Sequence, residues 1–584
     1  MRGALPAAIV VHLLLSAGYL AAIPLFEAPD EPDHFRYAQV VATSEGLPIH
    51  RGHAGRLGRH VLDECGLAHH PPLYYALLAG ALAALDADDV VVSLPLTNDR
   101  APEDRRRSWK FGHGYDELPP WSAEVIDLRL LRGLSAVLGA ITLLLIHRLG
   151  RTLLPAHPGV ADLAVILAAT LPAWSYAHGV LDNGNLATTL VHLALLLGAG
   201  GLVGGAVRWP RALALAAATA AALLSKLTAL GLALPLGFLV AASAARSPGR
   251  GAALVRAAVA LAVVGAATGW FFLRNAELYG DPLGAEAHAE VFHRSLVPDD
   301  RRLDWLTSGL PEGLLLSATR PNLLPDPVPA ATGVALALLA LAGLGGLLGL
   351  VGPRRRERTA RTPAAHRVYL ALAAAGTLAI FLKFNLAFAQ PQARYLLPAA
   401  GPIALLLASG LARLGLLLPA RARRPAGVLL GGALAALAAA LLIGRVGPDV
   451  AVLEVPDGTP TAIAVGVSGR PAAPEEARVE LLSPADGAAL DAAPTFRWRP
   501  DADAPDGTSF VRIVDRRGRV VLDSLAHLGL TGLRTEWALP APYWETLPAG
   551  EELRWFVRRA PDRRAGEATV DQPASPARSF VRRP

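Results

Sequence analysis

The sequence LPAAIVVHLLLSAGYLAAIPLFEAPDEPDHFRYAQ, residues 5–39, joins an apolar run to a strongly acidic segment. The apolar part, 5–25, contains no Asp, Glu, Lys or Arg and is long enough to cross a bilayer as a helix, which takes about 20 residues. The acidic part then places Glu27, Asp30, Glu31 and Asp33 within seven residues. Four carboxylates directly after a membrane helix predict polar chemistry at the membrane surface.

Composition indicates an integral membrane protein. Of the 584 residues, 53% are hydrophobic and 18% are charged, and the mean hydropathy is +0.37, which is too apolar for an ordinary soluble enzyme. The net charge of +6 comes mainly from arginine, because lysine occurs only as Lys110, Lys226 and Lys383. The arginines cluster between apolar runs, where they orient a membrane protein, so they do not indicate nucleic-acid binding. Cys65 is the single cysteine, which excludes an intramolecular disulfide.

The apolar runs predict a polytopic α-helical membrane protein with about eleven spanning helices. The predicted spans are 5–25, 127–147, 159–177, 184–204, 211–224, 227–245, 252–273, 328–350, 366–387, 396–414 and 426–444. Alternate connections are rich in arginine, which places the N-terminus in the cytoplasm and the protein in the plasma membrane. A cleaved signal peptide is the alternative for the first run, although that run is long for one.

This topology places three long segments on the non-cytoplasmic face: 26–126, 274–327 and the tail. Residues 1–446 then form a transmembrane catalytic domain, and 447–476, rich in Pro, Gly and Ala, form a linker. Residues 477–584 alternate apolar and polar positions in short runs separated by Pro, Gly and Asp. That pattern predicts an extracytoplasmic all-β sandwich resembling immunoglobulin or fibronectin type III modules, with Trp498 and Trp555 in its core.

Five motifs follow one another at predicted non-cytoplasmic membrane ends. They are PDEPDHFRYAQVVATSEG from Pro29, HHPPLYYALLAG from His69, SKLTAL from Ser225, GWFFLRNAELYGDPLG from Gly269 and QPQARYLLP from Gln390. In this order they resemble the type-C (GT-C) glycosyltransferase superfamily, polytopic enzymes that use a polyprenyl-phosphate-linked sugar as donor. The resemblance covers about residues 5–445.

Within the superfamily, the first loop is similar to uncharacterised bacterial members with a PDEPxHF motif. More distantly, it resembles protein O-mannosyltransferases and lipid A aminoarabinose transferases. The WWD motif of oligosaccharyltransferases is absent, which argues against transfer of a whole glycan to asparagine. The resemblance implies transfer of a sugar, with inversion, to a cell-envelope glycan, lipid or protein.

The resemblance also assigns roles to particular residues. Asp30 is the expected general base, since an acceptor hydroxyl must lose a proton as the new bond forms. Glu31 orients Asp30, holds an acceptor hydroxyl, or shares a divalent cation (Mg or Mn); metal dependence is left open. Lys226, Arg394 and Tyr395 are expected to hold the donor phosphate, because a basic residue between apolar runs is a functional candidate and Arg suits phosphate.

Each assignment has a structural alternative. The acidic segment can be a solvated loop, Lys226 a snorkelling lysine, and Arg394 an interfacial cap. The histidine-rich first loop fits no compact zinc motif. The remaining candidates for lining the site are His34, His70, Asp182, Arg274, Asn275, Tyr279 and Asp281.

Two other classes of function compete with the enzyme. A transporter or flippase of lipid-linked sugars should carry ionisable residues in the middle of its helices, and often internal repeats. Here the candidate charges lie at helix ends and no repeat is evident. A non-catalytic scaffold for envelope assembly is the third reading, and applies if the acidic motif is vestigial.

Overall fold

The computed structural model describes most of the membrane part and most of the tail. The described residues are 3–23, 25–43, 46–50, 53, 64–85, 123–205, 207–246, 250–291, 296–319, 364–416, 418–442, 479–500, 507–516, 520–524, 535–561, 572–573 and 575–583. The predicted linker 447–476 and the predicted span 328–350 lie outside these residues.

Helices dominate the chain up to residue 442. In order they are α1 Ala4–Ala22, α2 Glu31–Thr43, α3 Leu73–Ala84, α4 Ala123–Leu153, α5 Pro158–Ala169, α6 Pro172–Ala177, α7 Asn183–Val203, α8 Trp209–Leu223, α9 Ala233–Arg246, α10 Arg250–Tyr279, α11 Ala285–Val291, α12 Arg302–Asp304, α13 Leu310–Thr319, α14 Ala364–Asn385, α15 Ala400–Gly415 and α16 Ala420–Leu441. Short 3-10 turns, Leu227–Leu232 and Ala393–Ala399, lead into α9 and α15. A strand pair, β1 Ile49–His50 and β2 Glu64–Cys65, lies between α2 and α3.

Seven of the described helical segments are long and apolar enough to cross a membrane. They are Ala4–Ala22, Val125–Leu153, Asn183–Val203, Leu227–Arg246, Arg250–Tyr279, Ala364–Asn385 and Ala393–Gly415. The protein is therefore a polytopic helical membrane protein, as the sequence predicts. The count of about eleven spans stays a prediction.

Three predicted spans correspond to shorter apolar helices. Residues 211–224 and 426–444 match the short helices Trp209–Leu223 and Ala426–Ala440. Residues 159–177 are two helices, because Pro172 occupies the first turn of α6 and the preceding Leu171 is extended. Proline disfavours helical backbone at the residue before it, so a continuous helix ends there.

The described helices share a large apolar core. It is built mainly from α4, α5, α7, α14 and α15, and Trp174 of α6 is fully buried in it among small and branched side chains. Small residues allow close backbone approach: a Cβ at Gly376 of α14 would collide with the carbonyl of Gly231. Close packing at small residues is a main source of helix association in membranes.

The chain divides into two compact units. One contains Met1–Ala22, His69–Tyr74 and Arg132–Pro448; the other contains Ile23–Ala68, Tyr75–Leu131 and Asp449–Pro584. The acidic segment and the C-terminal β region thus belong to the same unit, which we call the outer unit after the side of the membrane that the sequence predicts for it. The first is called the helical unit.

The tail forms two β-sheets, β3 to β11. The strands are β3 Val479–Ser483, β4 Ala488–Leu490, β5 Thr495–Pro500, β6 Gly507–Val514, β7 Val520–Asp523, β8 Glu536–Ala538, β9 Glu552–Pro561, β10 Gln572–Pro573 and β11 Arg578–Arg582, with a short helix, α17 Ala541–Thr546, before β9. One sheet has the order β4-β11-β9-β6-β7 with β10 beside β9, and the other has the order β3-β5-β8.

A shared core joins the two sheets. It includes Phe496 and Trp498 from the three-stranded sheet and Ile513 and Trp555 from the six-stranded sheet. Trp498 and Trp555 are 1% and 0% exposed, so both lie in the core, where the sequence predicts them. Two sheets that bury one face each against the other form a β-sandwich. The likeness to immunoglobulin or fibronectin modules stays a prediction.

Candidate functional site

Three charged side chains meet in the helical unit. Asp182 accepts from Nζ of Lys226 at 2.9 Å through Oδ1, and from Nη1 of Arg394 at 2.6 Å through Oδ2. The three side chains are 12% exposed or less. We call Asp182, Lys226 and Arg394 the ion cluster.

The ion cluster lies at the start of three candidate spans. Asp182 is the N-cap of α7, and its Oδ1 accepts from the backbone N–H of Gly184 at 2.6 Å. Lys226 directly precedes the 3-10 turn that leads into α9, and Arg394 lies in the 3-10 turn before α15. The N-terminal end of a helix carries partial positive charge. The backbone therefore adds to the positive potential around these side chains.

A glycine makes room for this arrangement. A Cβ at Gly184 would lie 2.8 Å from Oδ1 of Asp182 and 3.2 Å from Nζ of Lys226. Real Cβ atoms essentially never approach another heavy atom to less than 3.0 Å. Any side chain at position 184 would therefore displace the carboxylate or the lysine.

Polar and aromatic groups orient Arg394. Its Nε donates to Oε1 of Gln392 at 2.6 Å, and its guanidinium lies 5.1 Å from the ring centre of Tyr395. Lys226 lies over the same ring, with Nζ at 5.4 Å, and the hydroxyl of Tyr395 donates to Oε1 of Gln390 at 2.9 Å. Cation–π contact of one ring with two cations helps to hold both near each other.

The two cations of the ion cluster are chemically suited to an anion. Lys226 and Arg394 converge on one carboxylate, that of Asp182. Removing charges from water costs several kcal/mol per ion, and the cluster retains two cations close together despite this cost. Convergent cations at helix N-termini are the usual setting in which proteins bind phosphate.

A second polar chain reaches the cluster from His70. The amide nitrogen of Asn183 donates to Nδ1 of His70 at 3.1 Å and to the carbonyl of Ser225 at 3.1 Å. Asn183 and Ser225 are the immediate neighbours of Asp182 and Lys226 in the sequence. His70 is thus linked to the cluster through one side chain.

The remaining candidates of the helical unit lie on α10 and the turn after it. Nδ2 of Asn275 donates to the carbonyl of His69 at 3.2 Å, and Nη1 of Arg274 contacts Oδ1 of Asn275 at 3.3 Å. Asp281 accepts from the backbone N–H groups of Leu283 and Ala285, at 2.9 and 2.6 Å.

These contacts order the backbone. Asp281 closes the turn that starts α11, a common role of Asp in turns. Tyr279 is buried, at 9% exposed.

Asp30 and Glu31 belong to the outer unit, and they differ in setting. Asp30 is half-buried and precedes α2 with φ of +63°, and Phe26 has φ of +68°. Glu31 is 1% exposed, and its Oε2 accepts from the backbone N–H of Phe26 at 3.0 Å. The buried carboxylate of Glu31 therefore closes the turn 26–31 through this hydrogen bond. Asp30 is the more accessible of the two carboxylates.

A left-handed backbone at Asp30 is costly. For residues other than glycine it costs roughly 1–2 kcal/mol, with Asp and Asn the most tolerant. Strained backbone of this kind clusters at functional sites. The observation makes Asp30 a stronger functional candidate than its position in an acidic loop alone.

His34 is buried by aromatic packing. Its Nδ1 lies 2.9 Å from the hydroxyl of Tyr75, and the ring of Tyr75 stacks on Tyr37 at 3.7 Å between centroids. Asp33 accepts from the backbone N–H of Gly66 at 3.1 Å, which ties α2 to the segment after β2. His34 and Asp33 thus fix the position of α2.

A metal site is not supported by the described residues. Among them, no group of three or more His, Cys, Asp and Glu side chains is placed to hold a metal ion. One oxygen of Glu31 already accepts from Phe26.

Three residues around the ion cluster, Gln390, Gln392 and Gly184, were not singled out from the sequence. Gln390 and Gln392 lie in the same motif as Arg394. Their positions, four and two residues before Arg394, were the only signal in the sequence that they could lie near it. Gly184 lies two positions after Asp182, where a glycine in the first turn of an apolar helix is unusual enough to notice. No sequence signal paired Asp182 with both cations.

Comparison with known proteins yields structural matches only. No protein-family model and no curated protein sequence matches the chain. ArnT from Cupriavidus metallidurans bound to undecaprenyl phosphate is 16% identical with a TM-score of 0.41, over 78% of this chain and 75% of ArnT. An Archaeoglobus fulgidus oligosaccharyltransferase tethered to an acceptor peptide is 14% identical with a TM-score of 0.39, over 77% of this chain and 55% of that one.

The oligosaccharyltransferase AglB from Archaeoglobus fulgidus, in complex with an inhibitory peptide and a dolichol-phosphate, is similar at a TM-score of 0.39 and 14% identity. This chain spans just over half the length of the oligosaccharyltransferases, with 56% of AglB covered. Likenesses of this size establish neither a shared fold nor an activity. The function is therefore inferred from this chain's own side chains.

Proposed function

We propose that this protein is a membrane glycosyltransferase of the GT-C kind. It transfers a sugar from a polyprenyl-phosphate donor to an extracytoplasmic acceptor in the cell envelope. The observation that supports this most is the ion cluster, in which Lys226 and Arg394 converge on Asp182 at the start of three candidate spans.

The ion cluster is suited to the phosphate of a lipid-linked sugar. The donor's prenyl chain requires a lipid environment, and its phosphate must lie where that environment ends. Residues at the first turn of spanning segments occupy such a depth. A guanidinium such as that of Arg394 matches the geometry of phosphate oxygens, and Lys226 adds a point charge.

Asp182 prepares these cations for the donor. Its two oxygens contact the two cations separately, one Lys226 and the other Arg394, as two oxygens of a phosphate can. A bound phosphate would share both cations with Asp182, or it would displace the carboxylate from Lys226, the longer of its two contacts. The cations are held in place before the donor arrives, which lowers the cost of ordering them on binding.

The reaction we propose is a single displacement. The acceptor hydroxyl oxygen attacks the anomeric carbon, and its proton passes to Asp30. The bond between that carbon and the phosphate oxygen breaks, and its electron pair remains on the polyprenyl phosphate, which leaves with the added negative charge. Lys226 and Arg394 stabilise that charge as it develops. Attack opposite the leaving group inverts the anomeric configuration.

Asp30 is the preferred base over Glu31 for two reasons. Glu31 is buried and accepts from the backbone N–H of Phe26, so it holds the turn. Asp30 is half-buried and strained, which fits a residue kept in place for a task other than stability. Glu31 then positions Asp30 through the backbone of the turn.

The decisive experiment measures donor use by the purified full-length protein in nanodiscs. Radiolabelled polyprenyl-phosphate sugars are supplied with candidate acceptors, and lipid-linked and transferred label are separated. We expect transfer or slow donor hydrolysis, lost in Lys226→Ala and Arg394→Ala and kept in the exposed controls Lys383→Ala and Arg367→Ala. Label that crosses the bilayer without leaving the lipid would indicate a transporter, and no donor binding at all would exclude both.

A further inference from the structure

Each sheet of the β-sandwich has one face in the shared core and a second face turned away from it. These second faces differ between the two sheets. The three-stranded sheet exposes a charged face, where Arg497 pairs with Glu536 and Arg499 with Glu480, and all four side chains are at least 60% exposed. This is the expected pattern for a sandwich, whose outer faces meet water. The six-stranded sheet does not follow it.

The second face of the six-stranded sheet is buried at its neighbouring strands β6 and β9. Along β6, Val511 and Ile513 point into the sandwich core, so Phe510 and Arg512 point away from it. On β9, Phe556 and Arg558 likewise alternate with the core residues Trp555 and Val557. These four outward-facing residues are 2% exposed or less. We call Phe510, Arg512, Phe556 and Arg558 the Arg-Phe face.

The Arg-Phe face has an ordered pattern. In the ladder between β6 and β9, Phe510 lies opposite Arg558 and Arg512 lies opposite Phe556. Each arginine therefore has an aromatic ring as its cross-strand neighbour, a pair that contacts closely in antiparallel sheets. Arginines are almost never fully buried unless other groups pair with them. A face of this kind is built to be covered by a polar or acidic surface.

The four residues of the Arg-Phe face are buried within a single chain, so other residues of the same chain cover them. The sandwich shares the outer unit with Ile23–Ala68 and Tyr75–Leu131. The first of these segments is acidic: between Phe26 and Ala68 it has seven carboxylates against four arginines. In its helix α2, none of residues 31–42, whose burial is described, is exposed, and Tyr37, Ala38 and Val40 are 2% exposed or less.

We propose that the Arg-Phe face is the docking surface for α2, Glu31–Thr43, in the acidic first segment of the same chain. The β-sandwich is then an integral part of the outer unit and holds α2, with Asp30 and Glu31 at its start. It is not a module that swings freely on its linker. The inference does not depend on the proposed glycosyl transfer, because it concerns only how two parts of the outer unit are held together.

The first test asks whether the sandwich remains bound when the chain is cut. A specific protease site is inserted into 447–476 of the full-length protein, which is folded in nanodiscs and then cleaved. We expect the C-terminal fragment to co-elute with the membrane part in size-exclusion chromatography. Release of the fragment from the otherwise unchanged protein would overturn the proposal.

Matched charge reversals then locate the surface. R512E/R558E should release the fragment after cleavage, whereas R497E/R499E, which changes the same charges on the exposed face of the other sheet, should not. Equal retention in both variants would contradict the proposal. If R512E/R558E loses the β-type circular dichroism of its released fragment, the milder pair R512Q/R558Q replaces it and the same outcomes apply.

Hydrogen exchange identifies the occupant. In uncleaved R512E/R558E, amides of Glu31–Thr43 should exchange at least about tenfold faster than in the parent, because local opening exposes them. Amides of Asn183–Val203 in the helical unit should not change, and R497E/R499E should match the parent throughout. Faster exchange confined to any other segment would show a different occupant and overturn the assignment.

Discussion

Nη1 of Arg394 lies 2.6 Å from Oδ2 of Asp182, although the two residues are 212 positions apart in the sequence. Both side chains are almost fully buried, and the same carboxylate also binds Lys226. One carboxylate thereby brings the starts of three apolar segments together. The ion cluster combines a structural role with the candidate role in donor binding, and experiments can separate the two.

The first prediction concerns the structural role of Asp182. Asp182→Asn keeps the size of the side chain but removes the charge that both cations contact. Breaking a buried ion pair at one partner costs about 3–5 kcal/mol. We expect a clearly lower melting temperature in detergent, measured by intrinsic fluorescence. Asp299→Asn, at an exposed ion pair, should leave it unchanged, and an unchanged value in Asp182→Asn would show that the carboxylate is not needed for stability.

A second prediction uses the glycine beside the cluster. Gly184→Ala should weaken donor binding by about tenfold or more, because the new Cβ lies within 2.8 Å of Asp182 and 3.2 Å of Lys226. A loss of one charge-assisted hydrogen bond is worth about 1.5–3 kcal/mol. Binding is measured by microscale thermophoresis with a polyprenyl-phosphate sugar. Gly133→Ala is the matched control, since a Cβ there meets nothing within 4 Å, and equal effects of the two changes would contradict the prediction.

Asp30 allows stability and activity to be separated. Asp30→Gly removes the carboxylate and suits the left-handed backbone at φ of +63°, so stability should hold or rise by about 1 kcal/mol. Asp30→Asn keeps the shape and removes only the proton acceptor. Both variants should lose turnover by about 10²–10⁴-fold with donor affinity retained, as expected for a missing general base. Near-normal turnover in either variant would end the catalytic interpretation of Asp30.

The variant Glu31→Gln distinguishes a role of Glu31 in positioning Asp30 from a role as a metal ligand. Because its Oε2 holds the N–H of Phe26, Glu31→Gln should reduce turnover without response to added Mg²⁺ or Mn²⁺. The measurement is turnover as a function of metal concentration, with a chelator in the reference sample. Recovery of the parent rate on adding either cation would assign Glu31 as a metal ligand instead.

The C-terminal β region carries a pH-sensitive contact. Asp486 accepts from the backbone N–H and the hydroxyl of Ser579, and these hydrogen bonds lower the pKa of its carboxyl below the usual 3.8. A lowered pKa stabilises the fold at pH values above about 4 and ceases to do so as pH falls through the folded-state value. Because Asp486 is exposed, water screens the contact and we expect a small effect.

This effect is measured on residues 475–584 expressed alone, which we expect to unfold cooperatively with β-type circular dichroism. The fragment should lose stability in urea as the pH is lowered below about 4, and Asp486→Asn should lose part of that dependence. Identical pH profiles for the parent and Asp486→Asn would remove the role assigned to the carboxylate, and a disordered fragment would contradict independent folding.

How far the sequence could predict the site depends on the residue. The sequence marked Lys226 as a candidate because it lies between two apolar runs, and Arg394 because Arg suits phosphate; their role in donor binding stays a prediction. Their common partner could not be predicted, since a carboxylate at the start of a helix is usually only a cap. Glu31 could not be told from Asp30 by sequence, because burial and the contact with Phe26 arise only when the turn 26–31 folds.

By itself, the sequence determined that this is a polytopic helical membrane protein with an acidic segment after its first span and a β region at its end. Apolar length and residue alternation are local properties of the chain, and they set these features directly. Only the tertiary structure decided which charges share a site and which face of the sandwich is covered. Asp182 contacts residues 44 and 212 positions away in the sequence, and such contacts depend on how the helices pack. The burial of a sheet face likewise depends on what packs against it.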